Sequence, residues 1–126
     1  MTDPRRTTDV EGKRTDVSPS RAIAPLATMI THVLRQLDGP GAPRDIVIHA
    51  DQLVIGRSRS CDVVIPSLEL SRRHAVVRRE AADYVVEDLD SQNGVHLNGV
   101  RIHSAALRGG DTIHIGDVAF LYVEGM

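Results

Sequence analysis

The chain is poor in aromatic residues. Among 126 residues only Tyr84, Phe120 and Tyr122 are aromatic, and tryptophan is absent. That leaves no row of rings on which single-stranded nucleic acid could stack. Cys61 is the only cysteine, which excludes an internal disulfide and a cysteine-built zinc site and suits a reducing, cytoplasmic setting. Lys13 is the only lysine among fifteen basic residues, so Schiff-base chemistry and a phosphate-loop lysine are closed to the region beyond it. No apolar run reaches the length of a membrane-spanning helix, and no membrane partner is expected. Arg5-Arg6 is not followed closely by an apolar stretch, so no export signal is expected either. The G-x-S-x-G, G-x-x-x-x-G-K and H-E-x-x-H patterns are missing. His32, His49, His96, His103 and His114 are scattered without ligand spacing. Nothing here points to an enzyme, a metal or a cofactor. A formal charge of −2 argues against a whole-chain polyanion binder, and no nucleic-acid partner is expected.

What is present divides into three zones. Residues 1–21 mix charges with Thr2, Thr7, Thr8, Thr15, Ser18 and Ser20 and contain almost nothing apolar. Such a segment cannot bury enough surface to offset its ordering entropy and is expected to be disordered. In 22–43, Ile23, Leu26, Ile30, Val33 and Leu37 recur at spacings of three, four, three and four. That spacing predicts an amphipathic helix over 23–37, with Pro25 in its first turn and Asp38-Gly39-Pro40-Gly41 as its stop. Such a helix would dock on its own domain or on a second copy, giving a homo-oligomer.

From Arg44 to the end the period becomes two. Residues 46–50, 53–56, 62–65, 74–79, 84–89, 95–97, 100–103, 112–115 and 118–123 read as strands. Asn98-Gly99 joins two of them by a tight hairpin in which both turn residues need positive φ, and Gly116-Asp117 is expected to do the same. Many short strands with tight turns predict an antiparallel β-sandwich or barrel for 44–126.

Two loops stand apart from ordinary turns. Residues 57–79 hold six arginines against Asp62 and Glu69, whereas 80–90 hold five acids and no base. This separation predicts a positive patch at one end of the strands, where guanidinium groups can meet a phosphate in planar, paired fashion. Ser71 adds a hydroxyl donor. The second loop, Ser91-Gln92-Asn93-Gly94, carries an amide able to donate and accept against an extended peptide. Among the other residues of the first loop, Cys61 reads as a small side chain packing beneath it, and Arg73, Arg78 and Arg79 read as a solvated face.

In this order, GRS-x-x-CDVVIP (56–66), LSRRHAVV (70–77), EDLDSQNGVHLNGVRI (87–102) and LRGGDTIHIG (107–116) resemble the forkhead-associated (FHA) domain over roughly residues 44–124. The resemblance implies an all-β sandwich of about eleven strands whose loops at one end bind phosphothreonine peptides. Arg57 matches the arginine that contacts the phosphopeptide, and Ser71 the serine that hydrogen-bonds the phosphate. Arg72 takes the next phosphate-facing position, and Asn93 matches the asparagine that holds the peptide backbone. Gly56 and His74 match loop-supporting residues, with Gly94 and Asn98 shaping the turns. Gln92 departs from the pattern, since threonine is frequent there, and Val95 likewise replaces a common threonine. The resemblance further implies phosphothreonine-containing partners written by a Ser/Thr protein kinase. Thr7 and Thr8 are candidate phosphosites through which the chain's own tail could fill the site. The alternative is a phosphate-independent scaffold acting through the 23–37 helix.

Overall fold

Strands form wherever apolar residues alternate between turns. The computed structural model describes residues 30–125, which build eleven of them. They are β1 (Thr31–Gln36), β2 (Arg44–Val47), β3 (Gln52–Gly56), β4 (Val63–Val64), β5 (Ala75–Glu80), β6 (Asp83–Asp88), β7 (Val95–Leu97), β8 (Val100–Ile102), β9 (Ser104–Ala106), β10 (Thr112–Ile115) and β11 (Val118–Gly125). One sheet has the order β2-β1-β11-β10-β7-β8 and the other β4-β3-β5-β6-β9. β4 runs parallel to β3, whereas β3–β5, β5–β6, β7–β8 and β10–β11 pair antiparallel. The inward faces meet in one core, where Leu34, Ile55, Val77, Val86, Ile113 and Phe120 have no exposure. Burying each such side chain contributes about 1.5–3 kcal/mol before entropy is counted. A smaller cluster of Val54, Cys61 and Val76 lies under the β3–β4 loop and holds it down.

Three expectations need correction. The helix over 23–37 fails in its second half, because residues 31–36 are strand β1, paired in register with β2 through Val33–Val47 and Leu34–Ile46. Residues 23–29 lie outside the described residues. The misreading has a physical cause. β1 turns His32, Leu34 and Gln36 inward, so the buried face alternates polar and apolar residues and hides the period of two. Leu34 is fully buried, yet it was not on the helical stripe, while stripe members Ile30 and Leu37 are 42% and 47% exposed. Buried Gln36 is satisfied by donating to the carbonyls of Asp38 and Pro40 and accepting from Arg44 Nε. The segment expected to stop a helix is therefore the β1–β2 turn, and the sandwich takes in residues before Arg44. An oligomer built on one helical face of 23–37 loses its basis.

The second correction is β9, which sequence reading left out because Ser104-Ala105-Ala106 lacks β-branched or aromatic residues. It adds to the edge of the five-stranded sheet through Val85–Ala106. Third, the two hairpin turns differ. Asn98 and Gly99 both have positive φ (49° and 86°), but in the β10–β11 turn Gly116 (60°) does and Asp117 does not. That is the pattern with only the first turn residue left-handed.

Leu34→Ala is expected to destabilise the fold by about 2–5 kcal/mol, and Leu37→Ala by less than about 1 kcal/mol. Urea unfolding of the two variants checks this, and the reverse ranking would restore the helical stripe.

Candidate functional site

The loops that follow β3, precede β5 and precede β7 converge at one end of the sandwich. β3 ends on Gly56, where a β-carbon would lie 2.2 Å from the Arg72 carbonyl oxygen. Only glycine lets the two loops approach so closely. Their backbones then join, with Arg57 N–H donating to Ser71 (3.1 Å) and Ser58 N–H to Arg72 (3.0 Å). Cys61 closes the loop from beneath, its thiol donating to the Arg72 carbonyl at 3.0 Å. Burial pushes that thiol's pKa up, which makes it a packing group and not a nucleophile.

His74 fastens the third loop. Its Nδ1 accepts the Ser71 N–H at 3.0 Å, so the ring proton sits on Nε2, which donates to the Gly94 carbonyl at 2.8 Å. The ring is fully buried with both nitrogens engaged. Ser91 continues the brace, its hydroxyl accepting the Gly94 N–H (2.9 Å) while its own N–H donates to Asp88 (3.1 Å). Sequence reading placed Ser91 in this loop but gave it no role, although a serine three residues before a glycine is a local turn signal. Asn98 acts further off, tying the β7–β8 turn to Asp111 and Thr112. Gly94 has φ +81°, and a β-carbon there would strike the Arg101 guanidinium.

On this scaffold sits a cavity of about 220 Å³ lined by Arg57, Leu68, Glu69, Leu70, Ser71, Arg72, Gln92 and Asn93. All five residues expected to meet a phosphopeptide are thus brought together, and Leu68, Glu69 and Leu70 join them. Arg57 is held by a hydrogen bond from Nε to the Leu70 carbonyl (3.1 Å), which leaves its terminal amino groups without a protein partner among the described residues. The Ser71 oxygen accepts the Gln92 N–H (3.1 Å), so its own proton remains available to donate. Gln92 therefore enters through its backbone. Asn93 differs from expectation in one respect. Its amide nitrogen is already committed to the Glu69 carbonyl (2.7 Å) and carboxylate (3.2 Å), so only its oxygen is free to take a peptide N–H.

The arginines sort sharply. Arg35 pairs with Asp45, and Arg78 with Glu80 and Glu87, while Arg79 lies over the Tyr84 ring. Among the described residues no carboxylate lies within ion-pair distance of Arg57, Arg59, Arg72 or Arg73. Arg59 and Arg73 do not line the cavity. Thr7 and Thr8 lie outside the described residues. Among the described residues, no three His, Cys, Asp or Glu are grouped to hold a metal ion.

Replacing His74 by leucine would strand the Ser71 N–H, at about 1–3 kcal/mol for the unsatisfied group, and would leave the Gly94 carbonyl only its bond from Gly116 N–H at 3.3 Å. Denaturant midpoints of His74→Leu against wild type measure this, and an unchanged midpoint would show that the imidazole is not the brace.

The comparisons with known proteins agree with this geometry. The chain is 37% identical over 117 residues to the transcriptional regulatory protein EmbR of Mycobacterium tuberculosis, covering 92% of this chain and 27% of that one. It is 32% identical over 87 residues to an oxoglutarate dehydrogenase inhibitor of Corynebacterium jeikeium, covering 69% of this chain and 60% of that one. The chain thus spans less than two thirds of the length of either relative. A solved structure described as an analysis of phosphothreonine-dependent FHA domain interactions superposes with a TM-score of 0.70 at 25% identity, covering 76% of this chain and 98% of that one. The family model for the FHA domain matches residues 53–116, and the chain belongs to that family.

Proposed function

We propose that this chain is a non-enzymatic module that binds phosphothreonine-containing proteins in the cytoplasm, downstream of a Ser/Thr protein kinase. One observation carries the reading. Free N–H groups of Arg57, the Arg72 guanidinium and the Ser71 hydroxyl, none of them neutralised by a carboxylate among the described residues, border one small cavity beside the free Asn93 oxygen. A phosphate brings about −1.5 to −2 charge and three acceptor oxygens, which is what such a donor set lacks. A bare threonine hydroxyl offers neither. Charge-assisted hydrogen bonds contribute about 1.5–3 kcal/mol each, so two or three of them discriminate strongly after ordering costs. The Asn93 oxygen would take a peptide N–H next to the phosphothreonine, while Gly56, His74, Gly94 and Asn98 hold the loops in place. The reading as a binder and not an enzyme is supported by His74, whose two nitrogens are both spent on structure, and by the buried Cys61 thiol.

The chain's own tail is a ligand within reach. Thr8 and Ile30 are 22 residues apart, and at roughly 3.3–3.6 Å per residue that stretch spans at most about 80 Å. A domain of this size is about 35 Å across. A phosphate on Thr7 or Thr8 could therefore reach the Arg57–Ser71 cavity on the same molecule, at an effective concentration on the order of millimolar. Occupied in this way, the site would be closed to other partners.

Arg57→Ala and Ser71→Ala are each expected to weaken binding of a phosphothreonine peptide by about 10- to 150-fold while leaving the weak binding of the unphosphorylated peptide unchanged. Calorimetry with both peptides tests this, and equal binding of the two by wild type would overturn it. For the tail, kinase treatment with mass mapping should place phosphate on Thr7 or Thr8. The phosphorylated chain should then lose binding to an external phosphopeptide, and Thr7→Ala with Thr8→Ala should restore it. Unchanged external binding by the tail-phosphorylated chain would sink self-recognition alone.

A further inference from the structure

The two sheets finish their outer faces differently. On the five-stranded sheet, Arg78 is neutralised by Glu80 and Glu87, and Val54 and Val76 pack with Cys61 of the β3–β4 loop. The six-stranded sheet has no such finish. Side chains alternate along a strand, so its core positions identify the outward ones. Ile113 and Ile115 of β10 are fully buried, which turns His114 outward. On β7, Val95 is in the core and Leu97 packs against it, which turns His96 outward as well. The β7–β10 register sets His96 opposite His114, and the β7–β8 register sets it opposite Arg101. Three adjacent strands thus present Arg101, His96 and His114 in one row. Among the described residues none of the three is in an ion pair. On its other side His114 faces Ala119 of β11, and Asp111, just before β10, is taken by Asn98 and the Arg108 N–H.

Further across the sheet the row gives way to aliphatic side chains. On β11, Phe120 and Tyr122 fill the core, while Leu121 and Val123 turn outward and stay half-buried. Leu37, just after β1, is 47% exposed, and Val47 of β2 is 39% exposed opposite half-buried Val33. A cavity of about 470 Å³ opens beside Leu121 and Val123. The acid at an outward position here, Asp45, is already paired with Arg35. One half of this face therefore lacks negative charge, and the other lacks apolar cover.

We infer that this face is a second docking surface, used without phosphate, for a protein segment with acids at one end and aliphatic residues at the other. Strands lie about 4.8 Å apart, so the six span about 24 Å, which an extended segment of about seven or eight residues crosses. Its acids lie over β8, β7 and β10, and its aliphatic residues over β11, β1 and β2. Imidazole charge ordinarily changes between pH 5 and 8, so such a surface becomes more cationic as pH falls. Carboxylates laid over the row favour that protonation, because like charges facing each other on adjacent strands are otherwise unfavourable.

The test uses the full chain and a fluorescent, unphosphorylated peptide with glutamates at one end, leucines at the other and serines between. At pH 6 it is expected to bind about three- to tenfold tighter than a version with glutamine for glutamate. The margin should narrow at pH 8, where imidazole is ordinarily neutral and glutamate is still charged. His114→Gln alone should reduce the margin, and His96→Gln with His114→Gln should remove it. Leu37→Ser with Val47→Ser should weaken both peptides, and Arg57→Ala should change neither. Unchanged urea midpoints show that the histidine variants are folded. Equal binding of the two peptides, a margin that survives both histidine substitutions, or its loss in Arg57→Ala would each overturn the inference. So would light scattering that finds the wild type paired and the Leu37→Ser, Val47→Ser chain single, since a second copy would then cover the face. Each of these outcomes leaves the phosphothreonine reading where it stands.

Discussion

Everything at the loop end hangs on one buried imidazole. His74 immediately precedes β5 of the five-stranded sheet, and Gly94 immediately precedes β7 of the six-stranded sheet. By accepting from Ser71 on one side and donating to Gly94 on the other, the ring ties the tips of the two sheets together across the mouth of the core. The tie fixes Ser71 relative to Asn93, one residue from Gly94. The Gln92 N–H on the Ser71 oxygen then locks the same two loops a second time. Because the ring is buried, water does not compete for either bond, and leaving the Ser71 N–H unpaired would carry its full desolvation cost. Donors aimed at a phosphate are useful only if they need not be gathered when it arrives, and this brace gathers them beforehand.

The second constraint is the sorting of charge. Two arginines away from the site are neutralised by nearby acids, Arg35 by Asp45 and Arg78 by Glu80 and Glu87 on adjacent strands. At the site Arg57 spends only Nε, on a backbone carbonyl, so it is positioned without being neutralised. A neutral carbonyl orients the guanidinium while leaving its charge to act outward. A carboxylate in the same place would have satisfied the charge and made phosphate a competitor. Five of the seventeen acids gather from the end of β5 to just past β6, in Glu80, Asp83, Glu87, Asp88 and Asp90. An overall charge of −2 is therefore compatible with a local anion site.

How much of this could be read from residues follows from what each residue does. Strands β3 to β8, β10 and β11 were legible because Val, Ile and Leu alternate there between turn residues. β1 was not, because its inward positions are His32, Leu34 and Gln36, and two polar side chains there, one half-buried and one buried, break the apolar alternation on which such reading depends. β9 was silent because an edge strand of serine and alanine has no side chains to announce it. In the site, Arg57, Ser71 and Asn93 were legible as chemistry, since guanidinium, hydroxyl and amide are recognisable groups in loops. Glu69 and Leu68 were not. A carboxylate in an arginine-rich segment reads as charge balance, and only the fold reveals that Glu69 spends its carbonyl and carboxylate on Asn93.

That last contact changes how the site divides its labour. With its nitrogen committed to Glu69, Asn93 faces a ligand as an acceptor only, so it can hold a peptide N–H but cannot also clamp a carbonyl. On the proposed reading, the phosphate would then supply most of the affinity. In the proposed self-recognition, Asp9 and Glu11, just beyond Thr7 and Thr8, would meet the Glu69 carboxylate of the cavity unfavourably. Tethering compensates for weak contacts through effective concentration, whereas a separate partner must rely on contacts alone. A tethered ligand with mismatched flanks would occupy the site by proximity and give way to a partner whose flanks fit. If the tail fills the site as proposed, its acids facing Glu69 would keep that occupant displaceable, while the arginines would make any occupant depend on its phosphate.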